Sequence, residues 1–342
     1  MRGSSLRYEK QRGVSLYYLV YHRRICCGFG YCKVIKKYIL KWLSIYTSKR
    51  LTEVFDSAKE REILIDESSK LVLFSDCHRG DNSWADDFAH NQNLFFHALD
   101  YYNKNAFTYI EIGDGDELWE HKRFEDIRRA HSDIFWKMKQ LYDDKRLYLI
   151  WGNHNRKWKN PKNVSKYLYQ YYDERKDCLE PLFQGIEVHE GLLLRYSGTG
   201  DRIFLTHGHQ GDLLNDGLWW VGRFVVRKIW KVLQITGVRD PTSPAKNFKA
   251  RNKIDKNIEE WAKAHKQMII AGHTHRPRFP SLKEPPYFNV GSCVHPRCIT
   301  GIEIQNGSIV LIKWSIKVKP DGLLFIGKDE LTKPEKLQPF FM

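Results

Sequence analysis

Five times between residues 70 and 275, an apolar run stops on a small group of carboxylate, imidazole or amide side chains. The runs are KLVLFSD (70–76), FTYIEIGD (107–114), RLYLIWGN (146–153), RIFLTHG (202–208) and QMIIAGH (267–273). The polar groups at their ends are Asp76 and His78, Asp114, Asn153 and His154, His207 and His209, and His273 and His275. A short apolar run bounded by turn residues reads as a buried strand. In an open sheet of parallel strands the C-terminal ends share one edge, which is where such folds bind ligands. The chain is therefore expected to fold so that these five ends meet.

Further strand signals lie at 192–197, 287–292, 299–304 and 308–315, and helical periodicity lies near 84–103, 121–143, 163–177, 216–236 and 247–265. The first half alternates strand and helix, and the second half is richer in strands. Two packed β-sheets flanked by helices satisfy that order, an α/β class. With 342 residues, 42% of them hydrophobic, the chain can bury a full core. On this pattern it divides into a basic amphipathic N-terminal extension (1–56), a body (57–320) with a helical insertion at about 210–265, and a C-terminal tail (321–342) too weakly periodic to assign.

The formal net charge of +15 suggests nucleic acid until it is mapped. Residues 1–50 hold twelve Lys and Arg against the single Glu9, leaving only +4 for the rest. Within them Ile35, Tyr38, Ile39, Trp42 and Tyr46 repeat at helical spacing among lysines. That pattern suits either packing on the protein itself or an anionic membrane surface. The seven cysteines are odd in number and lack CxxC spacing, so a reducing compartment is expected. No stretch approaches the roughly 20 apolar residues of a membrane span. The expected location is cytoplasmic, with peripheral attachment to the inner face of the membrane through residues 1–50.

Carboxylate, imidazole and amide oxygen form a hard to borderline donor set suited to manganese, iron or zinc, and the donors suffice for two divalent ions. Side-chain alternation along an extended segment puts Asp76 and His78 on one side and Cys77 on the other, and lets His273 and His275 face the same site.

With all five blocks in order, the sequence resembles the calcineurin-like metallophosphoesterases, whose signature is DxH, GDxx(D/E), GNH(D/E), HG and GHxH. The resemblance implies the fold, an αββα sandwich, and the roles. Asp76, His78 and His275 would hold one metal, Asp114 would bridge two, and Asn153, His207 and His273 would complete the second. Such a pair lowers the pKa of a water between the ions and stabilises the entering and leaving oxygens of an in-line displacement, so hydroxide is the expected nucleophile. Manganese is the first choice of ion. His154, beside Asn153, would act on the phosphoryl group or leaving oxygen as the catalytic side chain. The chain departs from the pattern at Asn155, where the family carries an acid able to orient that histidine.

GDGDELW (113–119) is similar to the GDxxExW form of UDP-2,3-diacylglucosamine pyrophosphatases, with Glu117 and Trp119 in place. Where those enzymes carry a helical lid, this chain has an insertion in which Arg223, Arg227 and Lys231 share one helical face opposite an apolar one. Trp219, Trp220, Arg223, Arg227 and His209 are accordingly the candidate substrate-binding residues. The expected activity is hydrolysis of a phosphoester or pyrophosphate in a phosphorylated small molecule or lipid. A nuclease is the second reading, and a metal-binding scaffold without turnover the third.

Overall fold

In the computed structural model, which describes residues 29–212, 215–217 and 248–341, the apolar runs pair into two sheets. Their Ile, Leu, Val and aromatic side chains suit a pleated, half-buried surface. The larger sheet sets β2 (Lys70–Phe74), β3 (Thr108–Ile112), β4 (Leu147–Ile150) and β7 (Val188–His189) in parallel. On the other side of β2 it continues antiparallel through β12 (Cys298–Gln305), β13 (Ser308–Val318) and β14 (Leu324–Glu330), with the short β15 (Glu335–Lys336) also on β13. The smaller sheet runs in the order β1 (Glu62–Ile65), β8 (Gly191–Tyr196), β9 (Arg202–Thr206), β10 (Met268–Ala271) and β11 (Tyr287–Asn289). Only its β8–β9 pair is antiparallel.

Apolar side chains from both sheets, among them Leu71, Leu73, Ile110, Ile112, Leu205 and Ile270, fill the space between them. The outer face of the larger sheet is covered by helices α2 (Gln92–Lys104), α3 (Phe124–Ala130) and α4 (Ser132–Asp143), with Phe95, Leu99, Phe135 and Met138 packed on Phe74 and Tyr109. The outer face of the smaller sheet is covered by the end of helix α1 (Phe29–Ala58) and by α6 (Phe248–His265), through Leu51, Val54, Ile258 and Trp261. The layers are therefore helix, sheet, sheet, helix, as the order of the sequence signals requires. The chain divides into two compact units, Met1–Ile45 and Tyr46–Met342. Among the described residues no helix is long and apolar enough to cross a membrane.

One expectation is corrected. The helix expected at 163–177 is only α5 (Pro161–Leu168), started by Asn160, whose side chain accepts from the Lys162 N–H at 3.0 Å. After it comes the hairpin β5 (Gln170–Asp173) and β6 (Cys178–Pro181), because the tyrosine-rich stretch favours a strand. The tail beyond residue 321, unassigned from its sequence, joins the larger sheet: β14 pairs along β13 from Val318↔Leu324 to Ile312↔Glu330. The insertion helix near 216–236, with Trp219, Trp220, Arg223 and Arg227, lies outside the described residues, as do residues 1–28.

Candidate metal centre

The strands deliver their polar ends as the parallel register demands. β2, β3 and β4 are neighbours in one sheet and β9 and β10 in the other, so five C-terminal ends face a common edge. Beyond β2 and β3 the main chains stay zipped: Asp76 N–H donates to Gly113 O (3.1 Å), His78 N–H to Asp114 O (2.8 Å) and Arg79 N–H to Gly115 O (2.9 Å). On the other side Gly272 N–H donates to His207 O (2.9 Å).

Five of the donors occupy left-handed backbone, with φ of +53° at Asp76, +48° at His78, +49° at Asp114, +67° at His273 and +56° at His275. That region is uncommon for residues other than glycine and is concentrated at functional sites. Two glycines make the convergence possible. A Cβ at Gly152 would run into Asp114 Oδ1 and come within 2.7 Å of His207 Cδ2, and one at Gly272 would run into Ser75 Oγ and come within 2.7 Å of Asp76 Oδ2.

The side chains gather in overlapping groups around Asp114. Asp76, His78 and His275 offer three donor atoms within 4.8 Å of one another, as do Asp114, His207 and His273, and a third set joins His78, Asp114 and His154. Asp76 Oδ1 lies 3.0 Å from His275 Nε2 and 3.7 Å from His78 Nε2. Asp114 Oδ2 lies 3.0 Å from His207 Nε2 and 3.9 Å from His78 Nε2. Asp76 Oδ1, Asn153 Oδ1, His207 Nε2 and His273 Nε2 are all buried without a hydrogen-bond partner. Buried polar atoms are rarely left so, and each costs about 1–3 kcal/mol. Unsatisfied oxygens and imidazole nitrogens aimed at one space fit divalent cations.

Supporting contacts fix the rings. His207 Nδ1 lies 2.9 Å from the Ile112 carbonyl oxygen. His78 Nδ1 lies 2.9 Å from Glu117 Oε2, and His154 Nδ1 lies 2.6 Å from the same oxygen. Trp119 stacks on the His154 ring at 4.3 Å, and the His154 main-chain N–H donates to Asp114 Oδ1 at 2.8 Å. The acid beside His154 is thus Glu117, at ion-pair distance. Asn155, the position from which the family's acid would act, instead accepts from the Gly152 N–H at 2.6 Å. The signal is present in GDGDELW, but the contact spans 37 residues and no local pattern reports it.

Electrostatics obey the geometry. Burial opposes ionisation of Asp114, but His207, His154 and His78 outweigh it and hold the carboxyl well below the usual range. Asp76 behaves likewise, with His275 and His207 overcoming burial. Burial works against protonation of His78, yet Asp76, Glu117 and Asp114 push its pKa well up. His209 goes the other way, lowered by burial and by the nearby His207 and His273. Its ring is fully buried against Trp151, His207 and His273, so it does not present itself to solvent at the edge.

Two further residues carry no signal in the sequence. Asp212 Oδ2 lies 3.7 Å from His273 Nε2. Arg79 is 1% exposed and binds Glu111 through both terminal nitrogens (2.6 and 2.8 Å) and Asp116 through Nε (3.0 Å), which anchors the segment after His78.

The fold and this cluster define a layered α/β protein with overlapping groups of side chains at its sheet edge that could hold metal ions. The chain belongs to the calcineurin-like phosphoesterase family, whose sequence profile matches residues 69–277. Among solved structures it is similar to Vps29 of Chaetomium thermophilum, at 10% identity, with a TM-score of 0.30, over 78% of this chain and 96% of that one. That likeness is too slight to carry an argument. No curated protein matches the chain.

Proposed function

We propose that this protein hydrolyses a phosphoester or pyrophosphate bond with two divalent cations. The observation that carries the reading is the set of four buried donor atoms, from four strand ends, that converge without hydrogen-bond partners beside Asp114. Asp76, His78, Asp114 and His275 would hold one cation, and Asp114, Asn153, His207 and His273 the other, manganese being the first candidate and iron or zinc the alternatives. When bound, such a pair polarises phosphoryl oxygens and acidifies water.

The chain's own residues supply the rest. The Glu117 carboxylate engages Nδ1 of His154. That leaves Nε2 to donate a hydrogen bond to the phosphoryl group, or a proton to the leaving oxygen. Trp119 restricts the ring by stacking. Both residues that carry the likeness to UDP-2,3-diacylglucosamine pyrophosphatases therefore touch His154, which supports a pyrophosphate in an amphiphilic substrate as the finer reading. Trp219, Trp220, Arg223 and Arg227 are proposed to bind that substrate, with His209 buttressing the ligands.

The test is turnover by manganese-loaded protein of p-nitrophenyl phosphate, bis(p-nitrophenyl) phosphate and a nucleotide-sugar pyrophosphate, with Asp114→Asn as control. Turnover of none of these, with two metals bound, would refute the enzymatic reading. Turnover of the monoester alone would remove the pyrophosphate assignment.

A further inference from the structure

Between the two histidines that follow β10 sits a residue the proposed reaction does not use. Thr274 is 0% exposed, and its neighbours His273 and His275 both hold left-handed backbone. Those neighbours serve different groups: His273 lies with Asp114 and His207, and His275 with Asp76 and His78. Whatever holds Thr274 therefore sets the placement of one donor in each. Left-handed residues other than glycine persist only where the surrounding structure over-determines them. The Thr274 N–H donates to Gly272 O at 2.8 Å, which closes the turn without tying it to anything else.

The tie comes from outside the strand. Thr274 Oγ1 donates to Asp255 Oδ1 at 3.1 Å, and Asp255 belongs to α6, a helix that supplies none of the donors. The same carboxylate oxygen accepts from the Tyr287 hydroxyl of β11 at 2.8 Å. Asn289 completes the network, its Nδ2 donating toward Gly272 O (2.6 Å), Thr274 Oγ1 (3.2 Å) and the Tyr287 oxygen (3.2 Å). Thr274, Tyr287 and Asn289 are all fully buried, so water does not compete for these bonds. A second tie of α6, Glu259 to Arg278 at 3.1 Å, reaches the chain past the turn and touches neither histidine.

We propose that Asp255 is a positioning residue: by holding the Thr274 hydroxyl it fixes His273 and His275 against each other, and so sets the affinity of both donor groups for divalent cations. Partners that orient metal ligands usually bond the ligand ring itself. Here the partner acts on the main chain between two ligands, so one carboxylate serves both groups. The inference rests on the proposed function for the reading of those groups as cation sites, and goes beyond it by locating a control of both in α6.

The experiment is calorimetric binding of manganese(II) to metal-stripped full-length protein, read as two phases, beside a urea melt of each metal-free variant. Thr274→Val keeps the shape of the side chain and removes its hydroxyl, and Asp255→Leu removes the acceptor. Each is expected to weaken both phases by about 10–100-fold. Thr274→Ser and Asp255→Asn retain a hydroxyl and an acceptor oxygen, and are expected to bind as the wild type does. Glu259→Gln, which loosens the other tie of α6, is expected to leave both phases unchanged even where its urea midpoint falls. The inference is overturned if Thr274→Val binds as the wild type does, if only one phase weakens, if the two conservative variants bind as weakly as the drastic ones, or if Glu259→Gln weakens both phases equally. Should Asp255→Leu fail to fold, the contrast between Thr274→Val and Thr274→Ser decides. Two phases in the wild type with unchanged variants would strike the inference alone, whereas wild-type protein that takes up no manganese would strike the proposed metal centre and the inference with it.

Discussion

The two donor groups share Asp114 but are supported differently. Around His78 the support is ionic: the ring rests on the Glu117 carboxylate, which also holds His154. Around His207 the support is a neutral main-chain carbonyl, that of Ile112. The first group is also the more open, with His78 and His275 side chains 12% and 19% exposed against 0% and 4% for His207 and His273. A carboxylate behind an imidazole raises its basicity more than a carbonyl does. Under the proposed function, the difference would couple cation affinity to the chemistry of His154 in one group, while the other would be fixed by the sheet itself.

Replacing the shared residue should erase the distinction. Asp114→Asn is expected to lower kcat/KM by about three orders of magnitude, roughly 4 kcal/mol of barrier, and to reduce cation content at both positions by elemental analysis. Retention of two ions with full activity would break the comparison at its base.

The glycines should separate the groups. Gly152→Ala drives a methyl into Asp114 Oδ1 as well as toward His207, and Gly272→Ala drives one into Ser75 Oγ as well as toward Asp76. Gly152→Ala is expected to weaken both cations through the shared Asp114, and Gly272→Ala chiefly the cation beside Asp76, by about 10–100-fold, as two-phase metal titration would report. Identical titrations for the two variants would show that the groups behave as one.

Glu117→Gln keeps the shape of the support and removes its charge. About tenfold lower activity is expected, with weaker binding of the cation beside His78 only. An unchanged first cation would mean the carboxylate serves His154 alone.

A fourth expectation lies outside both groups. Burial, helped by Arg61, lowers the pKa of His189 to about 4. The unfolded chain takes up this proton near pH 6.5, before the folded one does, so His189 contributes no penalty above pH 6.5 and stability falls as pH drops toward 4. With allowance for the ring's partial exposure the loss is about 2 kcal/mol. Urea melts of wild type and His189→Gln over that range would check it: the variant should lose less.

The five strand ends are legible in the sequence because two signals coincide there, an apolar run and donors whose chemistry makes sense only together. Local pattern fails where contacts are long-range or propensities conflict. Glu117 is three residues from Asp114 in sequence, but its purpose appears only once β4 brings His154 against it. The 170–181 hairpin reads as helix because its tyrosines fall at both spacings, and tertiary pairing decides between them. The β14 strand escapes local pattern although Pro320, Asp321 and Gly322 mark a turn, since LLFIG after it shows no alternation. Asn155 misleads for another reason: an amide beside a histidine in sequence need not face it in space, and its oxygen caps the Gly152 N–H instead.

The left-handed backbone at Asp76, His78, Asp114, His273 and His275 sets how this centre is assembled. Asp76, His78 and Asp114 sit at bends joined by main-chain hydrogen bonds, and the His273 N–H donates to Asp76 Oδ2, so protein contacts set much of the socket's shape. Loading and stripping cations should then leave the amide spectrum of the two sheets almost unchanged, and one kind of ion could replace another without the protein having to refold around it.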